Sequence, residues 1–345
     1  MRAGWVVVVA ALGAACKAGG SGGAGAGAGA GGSAGAGAGV GVGGGAGVGA
    51  GVGAGVGVRV SEGGGGGGGA GACAGGHSID DRADDARRLY GEDVRTAVVD
   101  GTFLFVDPDR GPLFDEAVRF APRVLAALRH DRIAARPLCA VSVYLFASTA
   151  RFRGHCAERG YLPDAGPDLG VYDRRRREIV VDLSGGRSHV PSLAHELAHV
   201  LMDADFEAPR WFRECVGSLY EAPLLPAEGE IHGAPDWRYV QLRAALGARD
   251  PEAHLGALFG MSDAVFRGDT GAGPSAERAL LHYGAARAAC EWLDEQGALW
   301  TFYRGWQKER SQGRDEDGTA SFARATGRAP AEADAAWRAW VARTK

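Results

Sequence analysis

The sequence predicts an α+β fold: a small sheet and a histidine-bearing helix, then a mainly helical part, all carried behind a glycine-rich tether. Three observations lead there. Residues 19–76 hold 32 glycines in 58 positions, with Ala and Val filling most of the rest, so this segment has too little side-chain area to bury a core. From about Ser78 to residue 205, short β-rich runs alternate with helical periodicity. Over 206–345 the pattern is mainly helical, and the length of 78–345 suits one domain.

The N-terminal elements come first. Met1–Gly4 is a short basic start, and Trp5–Leu12 is apolar with a run of four valines. Together with Ala14-Ala15-Cys16 this reads as a signal peptide over 1–16, too short for a permanent transmembrane helix. Gly13–Cys16 is similar to a bacterial lipobox, although Leu12 lies four residues before Cys16 instead of three. The expectation is export to the cell envelope, with Cys16 acylated and anchored in the membrane, or simple secretion. Residues 17–77 follow as a low-complexity linker, expected to be a disordered tether with an r.m.s. span of roughly 40–46 Å.

In the folded part, Arg95–Asp107 contains two strand-like runs, Ala97–Val99 and Thr102–Val106. Phe114–His130 has helical periodicity, Cys139–Phe146 is strongly β, and Thr149–Gly160 is helical. Val171-Tyr172 and Ile179–Leu183 flank Asp173–Arg177 and predict a hairpin whose arginine-rich tip is a solvated turn.

His195-Glu196-Leu197-Ala198-His199 comes next and is the most specific signal in the chain. Histidines four apart on a helix project from one face and can share one tetrahedral Zn²⁺. Glu196, about 100° around, can act as general base on a water at the metal. Leu193, Leu197, Val200 and Leu201 supply an apolar face, with Ser188 as the expected N-cap and Pro191 in the first turn.

Catalytic zinc needs a third protein ligand. Downstream stands Trp211-Phe212-Arg213-Glu214-Cys215-Val216-Gly217. Here the chain resembles the gluzincins, the peptidase MA-like superfamily that includes thermolysin-like enzymes and zinc aminopeptidases, whose second zinc helix reads N-E-x-x-x or W-x-x-E-G-x-A. The resemblance implies a zincin-like catalytic domain with a small mixed sheet, and Glu214 as third ligand. Cys215 stands for the usual Gly and Gly217 for the usual Ala, both small. The acid that thermolysin-like enzymes place four residues after the ligand falls on Ser218. Asp205, six residues after His199, is the alternative ligand of the metzincin pattern. Met202 stands where that pattern requires Gly, which favours Glu214. The segment from Leu281 to Leu293 is similar to the gluzincin helix whose Tyr stabilises the oxyanion, which implies that role for Tyr283, with the adjacent His282 as the thermolysin-like alternative. The resemblance also implies that Glu178–Leu183 lies along the cleft and pairs with an extended substrate. No G-x-M-E-N segment precedes the zinc helix, so no aminopeptidase clamp is evident.

A formal charge of −4 without a long basic tract gives no indication of nucleic acid. Export permits disulfides, and Cys139 with Cys156 and Cys215 with Cys290 are candidate pairs. The function expected is an exported zinc peptidase acting on a peptide or protein substrate. The alternative is a catalytically silent zinc-binding surface lipoprotein that holds a partner.

Overall fold

The computed structural model describes residues 78–161, 169–234, 236–271, 273 and 275–344. The expected signal peptide, the Cys16 lipidation site and the 17–77 tether lie outside the described residues.

Helix α1 (Ile79–Tyr90) starts on a capping box, in which the Ser78 hydroxyl accepts the Asp81 N–H and the Asp81 carboxylate accepts the Ser78 N–H. There follow β1 (Arg95–Val99), β2 (Phe103–Asp107), α2 (Phe114–Arg129), β3 (Val141–Phe146), α3 (Thr149–Arg159), β4 (Gly170–Asp173) and β5 (Glu178–Asp182). The strands form one mixed five-stranded sheet in the order β1-β2-β3-β5-β4. The inner pairs β2–β3 and β3–β5 are parallel, and the outer pairs β1–β2 and β4–β5 are antiparallel.

The period of two along each strand divides the side chains between two apolar layers. Phe103, Phe105, Val143, Leu145, Ile179 and Val181 face the main core, shared with α2 and the histidine helix. Leu104, Val106, Tyr144, Phe146 and Val180 face a second layer with Ala83 and Ala86 of α1 and Phe152 and Cys156 of α3. Cover on both faces explains why β2, β3 and β5 read as apolar runs instead of alternating.

The histidine helix is α4 (Ser192–Asp205), and after a four-residue link comes α5 (Arg210–Leu219). The remainder is helical apart from a single bridge, Leu224–His232: α6 (Tyr239–Gly247), α7 (Leu255–Phe259), α8 (Asp263–Phe266), α9 (Ala276–Glu295), α10 (Leu299–Arg310), α11 (Thr319–Thr326) and α12 (Pro330–Arg343). Its core is aromatic. Trp211 and Phe212 of α5 pack on Phe302, Tyr303 and Trp306 of α10. Trp337 is fully buried, while Trp340 is half-buried and donates its indole N–H to Glu295 at 2.6 Å.

Three expectations are corrected. Ser188 does not cap α4. It lies in a separate 3-10 turn (Gly186–His189) and donates to the Gly185 carbonyl, while Pro191 occupies the N-cap. Strand β5 is not the cleft edge, because β3 and β4 take both of its sides; β4 is the outer strand. Cys139 and Cys156 are not paired with each other: Cys156 keeps its thiol in the second apolar layer, and Cys139 is disulfide-bonded elsewhere. The other expected pair is made. Cys215–Cys290 joins α5 to α9 with a Cα–Cα distance of 5.5 Å.

Candidate metal centre

Helix α4 is buried on nearly every side from Ser192 to Met202, held between the sheet with α2 on one flank and α5 on the other. A helix this enclosed has little freedom to turn, so its histidines are aimed by packing. His195 and His199 stand one turn apart on the face toward α5, their Nε2 atoms 2.9 Å apart. Glu214, on the second turn of α5, brings Oε2 to 3.3 Å from His195 Nε2 and 3.5 Å from His199 Nε2.

These separations test the fit of a metal. A tetrahedral ion with bonds of about 2.0–2.1 Å holds its donors about 3.3 Å apart. The distances 2.9, 3.3 and 3.5 Å bracket that value. Two imidazoles and one carboxylate are a borderline donor set, suited to zinc and its transition-metal neighbours more than to calcium or magnesium. His195, His199 and Glu214 therefore form a group able to hold a metal ion.

Burial raises the cost of ionising Glu214, but the His199 charge and the hydrogen bonds from His195 and His199 outweigh it and hold the carboxyl well below its ordinary range. Burial likewise opposes the charged form of His195. The Glu214 hydrogen bond and the charges of Glu196, Glu214 and Glu221 overcome it and bring that imidazole up to about 9. His199 is pulled the other way by burial.

Two glycines make the close approach feasible. A Cβ on Gly217 of α5 would stand 2.9 Å from His195 Nε2, so the ring lies against bare backbone. A Cβ on Gly170 of β4 would meet Glu196 Oε1 at 2.8 Å. Glu196, buried to 6 % exposure, thus sits directly beneath the outer strand. Neither glycine was assigned this part from sequence. The motif comparison gave Gly217 only as a small residue.

The remaining expected residues separate. Asp205 turns away, accepting hydrogen bonds from Tyr303 (2.7 Å) and Gln307 (2.6 Å) of α10, so its role is to fasten the end of α4 and not to bind metal. His282 is buried with both ring nitrogens engaged, Nδ1 on the Phe266 carbonyl at 3.1 Å and Nε2 on Glu252 at 2.9 Å, which removes it as an oxyanion group. Tyr283 is half-buried on α9 with its ring 4.9 Å from Phe266. It lies seven residues before Cys290, hence on the same helix face, and the disulfide turns that face to α5. Ser218 donates to the carbonyl of Glu214 and does not replace the missing acid.

Two acids stand close instead. Glu221 Oε2 is 3.9 Å from His195 Nδ1. Asp203, one turn after His199, is buried between Arg174 (3.6 Å) and Arg213 (3.6 Å). Burial raises its carboxyl against the pull of both guanidiniums. Arg174 also pairs with Glu207 at 2.6 Å, so the first arginine of the hairpin tip is a clasp onto α4 and not a purely solvated turn. Arg210 completes the surroundings, with Nε 3.7 Å from Glu214 Oε1. No protein-family model matches this chain, and no curated protein matches it.

Proposed function

We propose that the protein is a zinc-dependent peptidase of the gluzincin type, built on a zincin-like domain and exported, with Cys16 as its lipid attachment point. The observation that carries the reading is the convergence of His195, His199 and Glu214 on one point while Glu196 is buried at the next position, beneath an outer strand. Simple metal storage has no use for that carboxylate.

His195, His199 and Glu214 are the residues that would hold the ion. Bound there, zinc supplies Lewis acidity, which acidifies water and polarises a carbonyl. Glu196 takes a proton from the attacking water and returns it to the leaving amine, work that suits a carboxylate fixed by packing against Gly170. The Tyr283 phenol donates to the oxygen that becomes negative. Among the described residues strand β4 ends the sheet, so an extended peptide adds at its outer edge, antiparallel or parallel, within reach of Glu196. This transfers to β4 the substrate-pairing role expected of β5.

The test is metal analysis of the purified full chain, with cleavage of a peptide library. One zinc per chain with cleavage is expected. Glu214→Ala should lose tight zinc and Asp205→Ala should keep it; the reverse pattern removes the gluzincin ligand set. Zinc without any cleavage would mean a silent binding module.

A further inference from the structure

We infer that Glu221, clamped by Arg238, is the positioning acid that orients His195 for the metal. The inference rests on the metal-centre reading above. An imidazole that gives Nε2 to a metal carries its proton on Nδ1, and that N–H needs an acceptor to fix the ring and strengthen the ligand. At the position four after Glu214, Ser218 offers no charge, and its hydroxyl is already spent on the Glu214 carbonyl. His195 Nδ1 faces Glu221 Oε2 instead, at 3.9 Å. A side-chain rotation that closes about 1 Å makes this a hydrogen bond.

Glu221 is not a loose surface carboxylate. Its Oε2 accepts from Arg238 Nη2 at 2.7 Å, so one oxygen faces both the guanidinium and the imidazole. Arg238 is held in turn by Asp236 through Nη1 at 2.8 Å. Asp236 lies 3.5 Å from Arg287 Nε, a guanidinium buried to 1 % exposure on α9. Arg287 is fixed by the Ala234 carbonyl at 2.8 Å and by Glu291 at 2.7 Å. The Arg238 backbone is seated as well: a Cβ on Gly284 of α9 would stand 3.2 Å from its carbonyl oxygen. A row of alternating charges thus runs from the core of α9 to the outer nitrogen of His195, and Glu221 is its last member.

A purely structural network would tie the 220–238 loop to α9 and leave the metal indifferent. The positioning role makes the opposite demand, so zinc affinity and metal-free stability separate the two. Zinc affinity is measured by chelator competition on the full chain for wild type, Glu221→Gln and Glu221→Asp, beside thermal unfolding of the metal-free proteins. Glu221→Gln should weaken zinc about 10–100-fold, with metal-free Tm essentially unchanged, and Glu221→Asp should recover part of the affinity. Wild-type affinity in Glu221→Gln overturns the inference. So does a lost affinity matched by a fall in metal-free Tm that Asp does not rescue. Should Glu221→Gln fail to fold, Arg238→Met decides: weaker zinc with normal metal-free unfolding supports the clamp, and unchanged zinc overturns it. His195→Ala keeps the two readings apart. If it retains wild-type zinc, the metal centre itself is wrong. If it loses zinc while Glu221→Gln does not, only the inference falls.

Discussion

The two faces of the sheet each bury histidine and glutamate, and they do so in opposite ways. Under α1 and α3, His155 Nδ1 and the Tyr90 hydroxyl share a hydrogen bond at 2.5 Å, and the ring lies 4.9 Å from Tyr144 and 5.3 Å from Phe146. Glu178 beside it accepts the Tyr161 hydroxyl and stands 3.6 Å from Arg159 and 3.9 Å from Arg82. A hydroxyl meets His155 Nδ1, and a hydroxyl and two guanidiniums meet Glu178. Burial first, then the charges of Arg159 and Arg176, holds the His155 imidazole down at about 4, so it stays neutral. Between α4 and α5 two imidazole nitrogens and a carboxylate oxygen gather within 4.8 Å of one another. Three such ligand atoms gathered at one point form a group able to hold a metal ion. Burying a histidine is therefore no sign of function; what matters is whether its ring is held by a separate partner or gathered with other ligand atoms at one point.

The contrast is sharpest in Glu196→Gln. The amide keeps the shape of the side chain under Gly170 and abolishes the base. Hydrolysis should fall by on the order of 10²–10⁴-fold while zinc content and Tm stay at wild-type values. Peptide cleavage at wild-type rate would remove Glu196 from the chemistry. On the opposite face the expected pattern inverts. Glu178→Ala leaves Arg82 and Arg159 without their buried counter-charge, which costs about 3–5 kcal/mol in folding stability, read by denaturant unfolding. Zinc affinity should not change. A Glu178→Ala protein of normal stability but weakened zinc would break the distinction between the two clusters.

The local part of this arrangement was legible in the sequence, and the non-local part was not. Helical periodicity located α2, α3 and α4, and short β-rich apolar runs located the strands, since each is set by a short local stretch of side chains. The four-residue link between α4 and α5 likewise makes the approach of Glu214 to the histidines a short-range matter. Strand order is different. Nothing within Glu178–Asp182 or Gly170–Asp173 says which becomes the outer strand, because that depends on which of them β3 accepts. Asp203 and Asp205 stand two residues apart at the end of α4, yet that rotation turns one toward Arg174 and Arg213 and the other toward Tyr303. His282 and Tyr283 differ for the same reason, by a single step of about 100°. The pairing of Cys215 with Cys290 spans 75 residues, and the sequence offered it only as one of two candidate pairs.

Gly217 is where resemblance and structure disagree most usefully, and it yields the smallest of the expected effects. The gluzincin pattern has Ala at this position, so Gly217→Ala restores the usual residue. Mid-helix, Ala is also favoured over Gly by about 1 kcal/mol. Propensity alone thus predicts a harmless or stabilising change. The His195 ring argues otherwise for the metal: a new Cβ would lie 2.9 Å from Nε2, 3.0 Å from Cε1 and 3.1 Å from Cδ2, closer than carbon and nitrogen tolerate. The ring has to give by several tenths of an ångström, and Nε2 is the atom proposed to bind the metal. Gly217→Ala should therefore raise or preserve metal-free Tm and weaken zinc about tenfold, a loss of about 1.4 kcal/mol in binding. The two readouts move in opposite directions, which a general packing defect cannot produce. A higher Tm with undiminished zinc affinity would show that His195 does not depend on the bare backbone of α5, and the centre would then tolerate the residue of the gluzincin pattern.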